Sequence, residues 1–159
     1  MSRILIATLA AAVALPVLAA EPSDQFIDDR SSPQRVVTSL YNAIDRHEYL
    51  RGWSYFADDA APPYEQFRDG YADTENVTLR IGDVQSEGAA GSIHSSVPVA
   101  IEATQTDGSK SVFTGCYLLT QVQPGAQDTP PFRPIQIDSG KLEQSDQPFD
   151  DAMGTCTMP

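Results

Sequence analysis

The hydrophobic period of this chain changes once, and that change sets what it can fold into. Before about residue 74 the apolar residues recur at helical spacing. Val36, Val37, Leu40, Tyr41, Ile44 and His47 share one face of a helix predicted over residues 33–49. Ser31 or Ser32 supplies the N-cap, Pro33 sits where a helix tolerates proline best, and Gln34 completes a capping box with Ser31. Leu50, Trp53 and Phe56 predict a short second helix. Tyr64, Phe67 and Tyr71 predict a third, with Gly70 inside it.

Beyond residue 74 the period becomes two. Val77, Leu79 and Ile81 alternate with Thr78 and Arg80, which predicts a strand near 76–84. Glu87 to Gly91 reads as a turn. A long strand follows over 92–105, with Ile93, Ser95, Val97, Val99, Ile101 and Ala103 on one face and His94, Ser96, Ala100 and Glu102 on the other. Asp107-Gly108 predicts a hairpin into a strand over 111–122, with Phe113, Tyr117 and Leu119 on one face and Val112, Thr114, Cys116, Leu118 and Thr120 opposite. Residues 123–131 form a loop, and 132–142 a last strand. Helices first and antiparallel strands after them give an α+β fold, with N-terminal helices packed on a curved antiparallel sheet of about four strands.

The N-terminus reads as an export signal over residues 1–20. Arg3 precedes an apolar run from Ile4 to Leu18, and small residues allow cleavage after Ala19 or Ala20. The run is shorter than the ~20 residues of a membrane span. Export to a bacterial periplasm or exterior follows, with no membrane attachment after cleavage. Residues 21–32 read as a flexible lead-in. Residues 144–159 read as a polar tail. In an oxidising compartment Cys116 and Cys156 read first as one disulfide tethering that tail; free thiols, or a bond from Cys156 to another chain, are the other readings.

Charge narrows the partners. Lys and Arg total 10 against 22 Asp and Glu, a net charge of −12. Nucleic acid and anionic membrane surfaces need a basic patch, which this balance does not favour. The paired acids Asp28-Asp29, Asp58-Asp59 and Asp150-Asp151 read as solvated surface. No phosphate-cradling glycine loop, metal-ligand cluster or cofactor motif is present, so neither a metal nor a cofactor is expected.

One stretch carries a family texture. Tyr41-Asn42-Ala43-Ile44-Asp45 leads to Leu50-Arg51-Gly52-Trp53-Ser54-Tyr55-Phe56, then Tyr64 to Tyr71, then long antiparallel strands. Over residues 33–143 this resembles the nuclear transport factor 2-like superfamily, whose cone-shaped fold also serves ketosteroid isomerases and dehydratases. The resemblance implies a pocket between the helices and the concave sheet, suited to a small amphipathic ligand. Its candidate lining is Tyr41, Trp53, Tyr55, Tyr64, Phe67, Phe113 and Tyr117. It also implies two other roles: a homodimer through the outer sheet face, or an isomerase- or dehydratase-like enzyme working inside the cone. Such enzymes place a carboxylate and a polarising hydroxyl inside. Tyr41 matches the hydroxyl. Asp83, Asp138 and Glu102 do not fall convincingly on the inner face. His47, beside Glu48 at a helix end, reads as exposed. His94 lies opposite Ile93, Val97 and Ile101: if those line the core it faces solvent or a partner, and if the packing is the reverse it enters the pocket. The chain therefore reads as a binding domain, for a small molecule or a protein, rather than an enzyme.

Overall fold

The computed structural model describes residues 25–157. The export signal expected over 1–20 lies outside the described residues.

Helix α1 spans Pro33–Asp45. Ser32 is its N-cap, its hydroxyl accepting from the Arg35 amide at 3.3 Å. Val36, Val37, Leu40, Tyr41 and Ile44 form its buried stripe. The helix ends four residues before the periodicity suggested. His47 adopts a left-handed φ of 56°. The Glu48 amide then reaches back to Ala43 O and the His47 amide to Ile44 O. This is a Schellman termination with histidine in the place glycine usually takes. Short helices α2 (Tyr49–Trp53) and α3 (Tyr64–Gly70) follow.

Five strands make one antiparallel sheet: β1 (Thr74–Ile81), β2 (Gln85–Ala89), β3 (Ser92–Gln105), β4 (Lys110–Val122) and β5 (Gln136–Ser145). The order is β1-β3-β4-β5, and β2 continues the β1 edge by pairing with the other end of β3. β2 takes up the first three residues of the turn expected at Glu87 to Gly91, leaving the reversal to Ala90-Gly91. Its sequence, QSEGA, is exposed throughout and carries no apolar alternation to mark a strand. The last strand starts at Gln136 rather than near residue 132. Pro131 and Pro134 have no amide to give a ladder, and Phe132 stays outside at 66% exposure.

The register sets the two faces. Val97 pairs with Tyr117 and Ile101 with Phe113. Val97, Val99, Ile101, Tyr117 and Leu119 lie on the concave side with Ile137, against Val36, Leu40 and Ile44 of α1. The expected inward set of both central strands is the one observed.

Both flanking segments are hydrogen-bonded to the body of the domain. The Ile27 amide donates to Asn42 Oδ1 at 2.9 Å and the Asp29 amide to Ser39 Oγ at 2.8 Å. Arg51 Nη1 donates to Ile27 O at 2.7 Å. At the other end residues 148–157 cross the convex sheet face. Arg80 Nη1 donates to Phe149 O and Asp150 O, both at 2.6 Å. Ala152 is fully buried, and the Gly154 amide donates to Val99 O at 3.1 Å. Gly154 lies so close on Gly115 that a Cβ on Gly154 would collide with the Gly115 backbone, while a Cβ on Gly115 would collide with the backbone of Lys141 and Leu142 in β5. Cys156 and Cys116 are bonded, closing the strap.

Candidate ligand cleft at the cone mouth

Two layers fill the concave side. The deeper one is closed. The Tyr41 and Tyr117 hydroxyls meet at 2.7 Å, with the rings edge to face at 6.2 Å. Both side chains are buried, and Gly140 opposite Tyr117 leaves the space its ring occupies. Burial pushes both phenols well above their ordinary value.

The outer layer is open. A cleft of about 470 Å³ lies between α3 and the wide end of the sheet. Val77, Ile101, Ala103, Phe113 and Leu142 make its floor, and Phe67 forms a wall. Gly52 holds α2 close to this wall, since a Cβ there would sit 3.3 Å from the Phe67 ring. Phe67 packs edge-on to Phe56 at 5.9 Å and to Tyr71 at 5.2 Å. The rim carries Gln66, Asp69, Asp73 and Gln105. Asp69 is paired with Arg68 at 2.8 Å. Burial raises the Tyr71 phenol to about 12.

Asp45 fixes where this mouth begins. Its Oδ1 accepts from the Val77 amide at 2.6 Å, and Asn76 Nδ2 reaches both carboxylate oxygens at 3.2 and 3.3 Å. The end of α1 thereby holds the start of β1. Partial burial raises the Asp45 carboxyl, against the lowering effect of that amide.

No family model matches this chain, and no curated protein matches it by sequence. Solved structures do match in shape. One is a protein described as a candidate aromatic ring hydroxylase from Novosphingobium aromaticivorans: 14% identity, 74% of this chain, 93% of that one, TM-score 0.54. Another is the hexachlorocyclohexane dehydrochlorinase LinA-type3 from Novosphingobium barchaimii: 9% identity, 72% and 85% covered, TM-score 0.51. A LinA type 2 enzyme matches at 9% identity, 78% and 86% covered, TM-score 0.51. The chain has the nuclear transport factor 2-like fold. At these identities the likeness concerns architecture. This fold supports ligand-binding and enzymatic roles alike.

Within the nuclear transport factor 2-like cone the seven aromatic candidates separate into four places. Phe67 and Phe113 line the cleft. Tyr41 and Tyr117 fill the layer beneath it. Tyr55 points elsewhere: its hydroxyl donates to Asp28 at 2.8 Å and accepts from Arg51 at 3.2 Å, so it holds the lead-in. Trp53 and Tyr64 pack on each other, centroids 6.3 Å apart, and the Trp53 indole donates to Pro62 O at 2.8 Å. His47 is a helix terminator whose Nε2 lies 3.3 Å from Thr74 O. His94 and Glu102 are on the convex face, Glu102 paired with Lys110 at 2.7 Å. The middle of that face, considered above for a homodimer, carries the chain's own tail.

Sequence reasoning passed over Tyr71, Asp69, Asp73 and Leu142. Tyr71 follows Phe67 at i+4, a signal that was available. Leu142 reaches the cleft only through its register opposite Gly115.

Among the described residues no helix is long and apolar enough to cross a membrane, and no group of three His, Cys, Asp or Glu side chains is placed to hold a metal ion.

Proposed function

We propose that this chain is an exported domain that holds a small amphipathic molecule in the cone-mouth cleft without converting it. The observation that carries the reading is the cleft: about 470 Å³, apolar at the base and polar at the rim. That volume and lining fit the pockets that bury small ligands. The apolar part of a ligand rests on Phe113, Ile101 and Leu142. Its polar end meets Gln66, Gln105 and Asp73 at the opening. Export rests on the N-terminal apolar run together with the Cys116–Cys156 bond, which an oxidising compartment sustains. Binding without turnover rests on the interior chemistry. The buried polar pair there is two phenols held in their neutral form, a poor base at neutral pH.

The test is a titration of the mature protein with N-phenyl-1-naphthylamine, an apolar dye that brightens when enclosed. Gly70 lines the cleft, and a Cβ there meets nothing within 4 Å. Gly70→Trp therefore adds a bulky ring at the cleft with no clash at its first side-chain carbon. Saturable brightening in the parent, weakened at least tenfold in Gly70→Trp at unchanged thermal stability, supports the reading. Equal binding by both proteins overturns it. Native mass spectrometry of protein taken from a periplasm then shows whether a resident molecule leaves on denaturation.

A further inference from the structure

A second pocket, independent of the cone mouth, lies on the convex face at the β2 end. It measures about 290 Å³ and includes Glu87, His94, Leu118 and Asp138 in its lining. Glu87 on β2 stands directly opposite His94 on β3, and His94 opposite Thr120 on β4. Asp138 completes the row because of a bulge. Leu118 pairs with Ser139 and Leu119 with Ile137, so Asp138 is the extra residue of β5. A bulge re-aims its side chain, and this carboxylate meets the Thr120 hydroxyl.

The hydrogen bonds fix the tautomer of the neutral imidazole. Thr120 Oγ1 donates its one proton to Asp138 Oδ2 at 2.6 Å. The same oxygen lies 2.9 Å from His94 Nδ1. A hydroxyl that has given its proton away can only accept, so His94 carries its proton on Nδ1. The neutral ring then keeps a lone pair on Nε2. The lining thus includes this imidazole and two carboxylates, and no lysine or arginine. Leu118 and Ala89 add an apolar wall. Glu87 makes no ion pair among the described residues.

We propose that this convex-face pocket binds a primary alkylammonium. Such a group has three N–H donors for three acceptors and a positive charge for two negative ones. Its alkyl chain lies along Leu118. The titratable groups facing the imidazole are Glu87 from β2 and Asp138 from β5.

The test is an NMR titration of the intact mature protein with n-butylammonium, with 1-butanol as the uncharged control. The chain has two histidines, and His47 serves as the internal reference. The expected result is a saturable shift of the His94 ring with butylammonium and none with butanol. Glu87→Gln and Asp138→Asn each weaken it about tenfold, the order of one charge-assisted hydrogen bond. Thr120→Val releases Nδ1, moves the ring proton and weakens binding. Long-range nitrogen–proton spectra read the tautomer directly. The proposal is overturned if the parent ring carries its proton on Nε2, if butanol shifts His94 equally, or if the shifts fall on Phe113 and Tyr71 instead.

Discussion

The two faces of this sheet are covered by opposite means. The concave face is covered by side chains: α1 lays Val36, Leu40 and Ile44 on Val97, Val99 and Leu119, and the Tyr41–Tyr117 pair fills the remaining depth. The convex face is covered at its middle by backbone: the tail crosses at Gly154 on Gly115, bonds Val99 O, and is locked by a disulfide. Side-chain cover is cooperative, because every contact on the concave side shares neighbours with the next. Backbone cover held by one covalent bond and a few hydrogen bonds is separable from the body. The concave side therefore supports global stability, and the convex strap a local one.

The largest expected effect tests the cooperative side. Tyr117→Ala empties the depth of the cone and costs about 3–5 kcal/mol, as for other buried aromatics. Chemical denaturation reads it as one shifted transition. Two separate transitions would mean that the interior unfolds independently of the rest, and the contrast between the faces would fail.

The next effect tests the strap. Replacing both Cys116 and Cys156 by serine frees a loop whose ends are 40 residues apart. The chain-entropy estimate puts the loss at up to about 4 kcal/mol. The spatial pattern decides the comparison. Hydrogen exchange should quicken at Asp151, Ala152 and Gly154 while the amides of α1 and β3 stay protected. Uniform loss of protection would make the tail part of the same cooperative unit as the core.

That division explains what the sequence could and could not reveal. The inward set of β3 and β4 was legible because alternation is a direct consequence of a pleated strand with one buried face. The order of helices and strands was legible for the same reason. β2 was not, since an exposed edge strand of Gln, Ser, Glu, Gly and Ala needs only the backbone of β3. The end of α1 was missed because His47 holds the left-handed position without being glycine or asparagine. Of the cleft, Phe67 and Phe113 were legible as aromatics on inward positions. Tyr55 looked equivalent, but its hydroxyl belongs to a network with Arg51 and Asp28 that joins residues distant in sequence. The strap was visible only as a pair of cysteines. Its hydrogen bonds to Arg80 and Val99 use backbone atoms, which leave no mark on composition.

A smaller effect sharpens the view of the cone's depth. Tyr41→Phe leaves the Tyr117 hydroxyl buried without its partner, and the reverse holds for Tyr117→Phe. Each single change should cost about 1–3 kcal/mol. The double variant should recover much of that, because no orphaned hydroxyl remains. A double-mutant cycle in urea measures the coupling. Simple additivity would mean that water reaches the pair, and the depth of the cone would then be continuous with its mouth.

The gentlest probe changes no residue at all. Six tyrosines report on the chain, and three of them mark the concave side at different depths. Tyr71 at the mouth is raised by burial to about 12, while burial pushes Tyr41 and Tyr117 within well above their ordinary value. An unfolded chain ionises its phenols near pH 10. The folded chain resists, so it holds more protons than the unfolded one above that pH. The stability these phenols support is therefore complete below about pH 10 and is lost as pH rises toward the folded values. Ultraviolet absorbance of tyrosinate, followed with circular dichroism, should show Tyr71 ionising before the fold is lost and the inner pair only together with it. If the inner pair ionises reversibly near pH 10 while the dichroism stays native, solvent already reaches the Tyr41–Tyr117 contact. The cone would then be one open cavity, and the contrast between a filled depth and an open mouth would have to be abandoned.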